Sequence, residues 1–371
     1  MKSPFESNPS QHRGLIDSND RLAQQLLKAL WSREDNILLS PLSLTTALGM
    51  VYVGSMGQMK QEFERTLYFN DDQAQRNKAY DQHLSQVTDG TFRSVNSVWL
   101  KDTFDVFSKY RETIAQDFKA LIGTLDFNKP DLAAKRINAW VASATNDRIK
   151  ELVRPDMFND ASRMVLANAA LFKDKWETEF NPTSTHRGVF YTPTGAVPSM
   201  QMVQERTLNY YQDGSHEYVE LPYKGRFAMG IMLPRSDERP PWSLSRSRSE
   251  MSPDQVILHL PRMKVECSYE LSERLDNMGL PTLFSNDAQL TKITDKEPLT
   301  TSFVVHKTFL DVGEEGTEAA AATGIGMCSG SLWIPPRTHA RVINVNRPFV
   351  MTIIERDTGM LAFVGRINRP I

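Results

Sequence analysis

The sequence predicts an α+β protein, with helices in its first third and strands through most of the rest. Apolar residues recur at helical spacing up to about residue 146. From about residue 160, short runs rich in Val, Ile, Leu and Phe are bounded by turn residues, as strands are. Helices and strands do not alternate in the rhythm of βαβ units, so α+β is favoured over a parallel α/β sheet.

The helical part begins with Leu22, Leu26, Leu27 and Leu30, which follow the capping candidates Asp17 and Ser18. Pro41 suits the first position of the next helix because its missing N–H is not needed there. Further helices are predicted at about 41–54, 57–66, 107–118, 131–146 and 269–279.

The second part of the chain is predicted to form strands at 163–172, 217–223, 226–233, 256–266, 301–312, 348–354 and 360–367. One stretch, 234–254, is rich in Arg, Ser and Pro and poor in core-forming residues. It is predicted to be an exposed linker.

Composition restricts the classes of partner. The 371 residues are 40% hydrophobic and 24% charged, with a net charge of -2. No excess of positive charge is present that would attract nucleic acid or an anionic membrane. No apolar run approaches the ~18 residues of a membrane span, so none is expected.

Motifs of common enzyme classes are missing from the sequence, and an enzyme, a cofactor and a metal site are therefore not predicted. GIGMCSG (324–330) has three residues where a dinucleotide fingerprint has two. Three potential metal ligands occur together, His216, Glu217 and Glu220, but we interpret them as part of a solvated strand edge. His306 is interpreted as a hydrogen-bonded core histidine, and Cys328 as an inert thiol because no basic partner adjoins it.

The segment EEGTEAAAATG (314–324) allows two interpretations. Alanine and glutamate favour a short surface helix that ends at Gly324. As an extended strand, the segment would place Thr317, Ala319, Ala321 and Thr323 on one face. Side chains this small would enter between two existing strands without disrupting a core, and Gly316 offers a backbone hinge.

Several segments together resemble the serpins, a family of protein inhibitors of serine and cysteine proteases. The similarity follows the family's order along nearly the whole chain. The segments are NILLSPLSLTTALGMVYVGSMG (36–57), INAWVASATNDRIKELV (137–153), VLANAALFKDKW (165–176), VELPYKGRFAMGIMLP (219–234), LPRMKVECSYEL (260–271), VVHKTFLDVGEEGTEAAAAT (304–323) and NRPFVMTIIERDTGMLAFVGRINRP (346–370).

The resemblance implies a single domain over 1–371, with three β-sheets, eight or nine helices and an exposed reactive centre loop. It implies suicide-substrate inhibition of a serine protease, in which the cleaved loop inserts into the main sheet and traps the acyl-enzyme. A non-inhibitory serpin acting as a binding or carrier protein is the alternative. The protein is expected to be a monomer, and no basic cluster predicts heparin binding.

The resemblance also assigns roles to residues of the hinge and reactive centre loop (314–345) and of the sheet. The hinge comprises Glu314, Glu315, Gly316, Thr317, Ala319, Ala320, Ala321, Ala322 and Thr323. Ser40, Ser43, Asn168 and His306 match the shutter, a polar cluster under the sheet. Trp176 matches the breach, where insertion begins. Arg262 occupies a position where a basic partner for Glu314 is common, and a plain surface pair is the alternative.

The sequence does not determine which peptide bond is the scissile one, because the loop is long. Gly316 and Pro348 are 32 positions apart. Counting back from NRPF indicates Arg337–Thr338, which suits a trypsin-like protease. Counting forward from the hinge indicates Gly330–Ser331. Leu332–Trp333 and Met327–Cys328 would suit chymotrypsin-like or elastase-like proteases.

The sequence does not determine the cellular compartment of the protein either. The first residues, MKSPFESNPSQHRG, show no signal peptide, and the sequence has no N-glycosylation acceptor. Both features suit the cytoplasm. An extracellular location is expected instead if the chain is processed or trimmed.

Overall fold

A computed structural model describes residues 9–69, 91–236, 244–296, 298–317 and 340–370. Residue contacts divide the chain into two compact units. Unit 1 comprises Met1–Ala29, Leu39–Leu171 and Ser268–Thr308, and unit 2 comprises Leu30–Leu38, Phe172–Cys267 and Phe309–Ile371.

Seven α-helices occur in the described residues. They are α1 (Pro9–Ala29), α2 (Pro41–Gly54), α3 (Gly57–Leu67), α4 (Ser108–Asp117), α5 (Pro130–Ala144), α6 (Leu244–Glu250) and α7 (Ser272–Asn277). The capping prediction for Asp17 and Ser18 is wrong, because both lie inside α1, where the Ser18 hydroxyl donates to the Gly14 carbonyl at 2.7 Å. Pro41 begins α2 as predicted, after Ser40 as the N-cap.

Helix α6 corrects the prediction of an exposed linker at 234–254. Ser247, in the middle of α6, is only 1% exposed. Its hydroxyl lies 2.9 Å from Nε2 of His216. Because a serine provides part of the buried face of this helix, apolar periodicity could not reveal it.

The strands are β1 (Ile37–Leu39), β2 (Phe92–Lys101), β3 (Leu121–Leu125), β4 (Met164–Phe172), β5 (Asp174–Lys175), β6 (His186–Thr192), β7 (Gly195–Gln212), β8 (His216–Pro222), β9 (Phe227–Pro234), β10 (Ser252–Pro261), β11 (Met263–Glu270), β12 (Thr301–Val312), β13 (Gly316–Thr317), β14 (Arg341–Asn344), β15 (Phe349–Glu355) and β16 (Leu361–Ile367). The predicted strand runs all fall on strands. Sequence patterns missed β2, β3, β6, β7 and β14, whose polar or half-exposed residues interrupt the apolar alternation. They also missed β1 and β5, which are only three and two residues long.

In unit 2 the strand order is β1–β16–β15–β9–β8–β7–β10–β14, with β6 also paired to β7. β7 is 18 residues long. It pairs with β6 and β10 along most of its length and with β8 at its end. The strands of the described residues therefore form two hydrogen-bonded networks, since this one long strand connects two of the sheets expected for the family.

In unit 1 the strand order is β3–β2–β4–β12. All nine residues of β4 are buried, as expected for a central strand. β4 and β12 are direct hydrogen-bonded neighbours, and the boundary of the unit falls within both, after Leu171 and after Thr308. In unit 2, β13 lies between the end of β12 and β5.

Each unit has its own aromatic cluster. In unit 1, Tyr52 and Phe63 pack with ring centroids 5.9 Å apart. In unit 2, the Phe172 ring lies 4.9 Å from that of Tyr223 and 5.3 Å from that of Phe227. Among the described helices, none is both long enough and apolar enough to cross a membrane.

Candidate functional site

The turn before the alanine-rich segment ends in a two-residue strand, β13, between two other strands of unit 2. Thr317 pairs with Val312 of β12 on one side and with Asp174 of β5 on the other. Gly316 pairs with Lys175. A Cβ atom at Gly316 would lie 2.1 Å from the carbonyl oxygen of Asp174. Only glycine therefore lets β13 approach β5 this closely.

The backbone of the turn is held by the segment that follows β5. The Trp176 amide donates to the Glu315 carbonyl at 2.9 Å, and the indole Nε1–H donates to the Gly313 carbonyl at 2.8 Å. The Phe180 amide donates to the Glu314 carbonyl at 2.9 Å. The positions of three successive residues, 313–315, are thus fixed through their main-chain oxygens.

Thr317 is completely buried, and its hydroxyl lies 2.6 Å from that of Tyr223. The Tyr223 ring stacks on Trp176 with centroids 4.3 Å apart and planes inclined by 13°. Burial raises the pKa of Tyr223 well above its usual value, so this phenol stays neutral. The pocket around Thr317 therefore accepts a small neutral side chain with a hydroxyl group.

Glu314 forms an ion pair with Arg262, whose Nε lies 2.7 Å from Oε1. The Thr185 hydroxyl donates to the same oxygen at 2.7 Å. Burial alone would raise the pKa of Glu314, but these two hydrogen bonds outweigh it and hold the pKa below its usual value. We call Thr185, Tyr223, Trp176, Arg262 and residues 313–317 the hinge cluster.

Unit 1 contains a separate polar cluster around His306, which is completely buried. Its Nε2 accepts a hydrogen bond from the Ser40 amide at 3.0 Å. Burial lowers the pKa of His306 to about 3, so the ring is neutral at physiological pH. Nδ1 must then carry the proton and donate to Oδ1 of Asn168, 2.5 Å away.

Asn168 extends this cluster through its amide nitrogen. Nδ2 donates to the Ser43 hydroxyl at 2.6 Å and to Oδ1 of Asn96 at 2.5 Å. The Ser94 hydroxyl lies 2.8 Å from that of Ser43 and accepts from Nδ2 of Asn96 at 2.9 Å. We call His306, Ser40, Asn168 and these three side chains the histidine cluster.

The structure thus divides the predicted shutter and breach residues between two clusters. Ser40, Ser43, Asn168 and His306 are together in unit 1, whereas Trp176 belongs to the hinge cluster of unit 2. Sequence reasoning missed Ser94, Asn96, Thr185 and Tyr223. Ser94 and Asn96 are two positions apart on a strand and so share a face, a signal that FRSVNSVWL contained.

The other candidate residues are placed as follows. His216 is 3% exposed, so its interpretation as part of a solvated strand edge is wrong. It contacts Ser247, while the Glu220 carboxylate binds Nε of Arg248 at 2.6 Å. Within the described ranges, no group of three potential ligand side chains gathers as a metal site. The Cys267 thiol is buried and donates to the Asn36 carbonyl at 3.5 Å.

The remaining predicted site residues lie outside the described residues. They are Ala319, Ala320, Ala321, Ala322 and Thr323 of the hinge, and Met327, Cys328, Gly330, Ser331, Leu332, Trp333, Arg337 and Thr338 of the candidate scissile bonds. Residues 341–344 of the predicted loop form β14, which pairs in parallel with β10.

The sequence is similar to known proteins along nearly its whole length. The family model described as "Serpin (serine protease inhibitor)" matches residues 17–370. Human Serpin B3 is 32% identical, with 94% of this chain and 96% of that protein covered. An uncharacterized serpin-like protein of the archaeon Thermococcus kodakarensis is 30% identical over 97% of this chain and 87% of its own.

Solved structures agree with these matches. Serpin48 of the insect Tenebrio molitor superposes with a TM-score of 0.83 at 28% identity, and both chains are covered completely. Native protease nexin-1, crystallised with heparin, gives a TM-score of 0.85 at 25% identity over 98% of this chain and all of the other. The α+β class is thereby confirmed, and the chain belongs to the serpin family.

Proposed function

We propose that the protein is a suicide-substrate inhibitor of serine proteases. The supporting observation is β13: Gly316 and Thr317 already occupy a strand position with a neighbour on each side. The sequence that follows, EAAAAT (318–323), has only small side chains after its one glutamate. A chain of this composition can continue the same strand.

The proposed reaction begins when the protease serine attacks the scissile carbonyl and the peptide bond breaks. The nitrogen of the leaving segment takes a proton, and the hinge side stays attached to the protease as an ester. The freed hinge then extends β13 into the sheet. Hydrolysis of the ester needs an oriented base and an oxyanion hole, so distortion of the protease makes the ester persist.

Insertion requires β4 and β12 to separate. They are hydrogen-bonded neighbours, and the hydrogen bond from His306 to Asn168 joins one strand to the other. An inserted strand would pair on both edges. With about a dozen residues and about 1 kcal/mol per hydrogen bond, the release would be on the order of 10–20 kcal/mol.

The test is to incubate the protein with trypsin, chymotrypsin and elastase and to analyse each mixture on denaturing gels. We expect a complex that resists denaturation with at least one of them. Each protease blocked beforehand at its serine is the control, because no ester can then form. Cleavage without any stable complex would contradict inhibition and favour the binding or carrier function. Mass spectrometry of the released fragment would identify the scissile bond, with Arg337–Thr338 expected.

A further inference from the structure

A cavity in unit 2 combines positive charge with apolar walls. Its volume is about 260 Å³. It lies between the turn after β6, the end of β9 and the segment before β15. The volume is close to the lower limit of small-molecule sites and suits a ligand of about ten heavy atoms.

Two arginines provide the positive charge, Arg235 and Arg347. Nε of Arg347 donates to the Pro234 carbonyl at 3.3 Å. Among the described residues this is the only hydrogen bond of its guanidinium group, so most of its five N–H donors are unused there. The exposed side chain of Arg235 forms no hydrogen bond or ion pair with another described residue.

Within the part of the chain that the structure describes, the charges around the two arginines are not balanced. Burial lowers the pKa of Arg347; the Glu217 carboxylate acts in the opposite direction, and the neighbouring Arg235 lowers the pKa further. Glu217 also accepts a hydrogen bond from the Tyr210 hydroxyl at 3.1 Å. Within the described residues, Arg347 therefore faces a second guanidinium group and one carboxylate, and an anion would relieve the repulsion between the two arginines.

Apart from Thr192 and Ser236, the rest of the lining is apolar. Three prolines contribute rigid walls, Pro193, Pro234 and Pro348, and Tyr191, which is 57% exposed, also lines the cavity. An exposed aromatic ring beside prolines suits an aromatic or aliphatic group, whereas inorganic phosphate would leave this surface uncovered.

We propose that this cavity, which we call the arginine pocket, binds a small organic phosphomonoester. Arg235 and Arg347 bind the phosphate group, and Tyr191 and the prolines contact its organic part. The ligand would connect three chain segments of unit 2, including the one that joins β14 to β15. The proposal goes beyond protease inhibition and does not depend on it.

The test is calorimetric titration of the full chain with phenyl phosphate at constant ionic strength. We expect a dissociation constant of about 1 mM or lower. Inorganic phosphate and phenol should each bind at least about tenfold more weakly, because each provides only half of the contacts. Arg235→Gln and Arg347→Lys should each weaken binding of phenyl phosphate at least about fivefold.

Arg187→Gln is the matched control, an exposed arginine of β6 outside the pocket, and should bind as the unmodified protein does. Arg235→Gln keeps the test valid if Arg347→Lys does not fold. Equal binding by Arg235→Gln, or none by the unmodified protein up to 10 mM (about ten times the expected constant), would overturn the proposal. Binding that appears only in a variant with Asp237→Asn and Glu238→Gln would also overturn it, because these two carboxylates would then be the natural partners of the arginines.

Discussion

The hinge cluster and the histidine cluster are both built from polar groups, but they are held in different ways. In the hinge cluster, main-chain carbonyls of residues 313–315 accept hydrogen bonds from Trp176 and Phe180. In the histidine cluster, most hydrogen bonds join two side chains, and the Asn168 side chain by itself contacts those of His306, Ser43 and Asn96. The first cluster should therefore tolerate most side-chain changes within residues 313–315, whereas the second should respond to nearly every one.

The largest effect is expected from Thr317→Arg. A guanidinium group cannot be buried beside the neutral Tyr223, so β13 should leave its place between β12 and β5. We expect the yield of stable protease complex on denaturing gels to fall more than about tenfold, with cleavage taking its place. Thr317→Ser keeps the hydroxyl and should retain complex formation. Equal yields from both variants would show that occupation of this site is irrelevant.

Asn168→Ala should cause the largest loss of stability. It removes the partner of the His306 Nδ1–H and of two side-chain acceptors in a fully buried site. We expect the free energy of unfolding to fall by about 3 kcal/mol in urea titrations. Ser43→Ala removes one hydroxyl of the same cluster and should cost about 1 kcal/mol. Similar costs for the two would mean that Asn168 is not the centre of the network.

Acid should weaken the histidine cluster before the hinge cluster. The unfolded chain binds a proton at His306 below about pH 6.5, but the folded chain does so only near the lowered pKa of about 3. Stability from this residue is thus complete above pH 6.5 and falls as the pH drops. We expect a loss of about 2 kcal/mol between pH 7.5 and 5. The variant His306→Asn should not show this loss of unfolding free energy between pH 7.5 and 5. A substitution of the exposed His186 should leave the loss unchanged.

The smallest effect is expected from Arg262→Ala. Its side chain is 45% exposed, so solvent screens the ion pair with Glu314, and Thr185 remains as a donor. We expect a loss of about 1 kcal/mol that shrinks in 1 M NaCl. Because the lowered pKa of Glu314 should rise toward its unfolded value in this variant, the stability that acidification removes through this carboxyl group should be smaller than in the unmodified protein. A loss above about 3 kcal/mol would contradict this and would mean that the ion pair between Arg262 and Glu314 is the main interaction that stabilises the hinge cluster.

Sequence patterns located most elements but few of the contacts. Local sequence, with Pro41 as the start signal of α2 and apolar runs for β4 and β12, predicted these elements to within a residue or two, because they are almost entirely buried. It failed for α6, where a serine is on the buried face, and for β7, whose residues are partly exposed on both sides. Periodicity detects a buried face only when that face is apolar.

The same limit applies to the candidate site. Composition was sufficient to select residues 314–323 as a segment able to become a strand, since small side chains and a glycine are local properties. Which groups surround Thr317, which ring nitrogen of His306 carries its proton and how Glu314 stays ionised depend on Tyr223, Asn168 and Thr185. Those partners are far away in the sequence and come into contact only when strands pair and pack, so no local pattern records them.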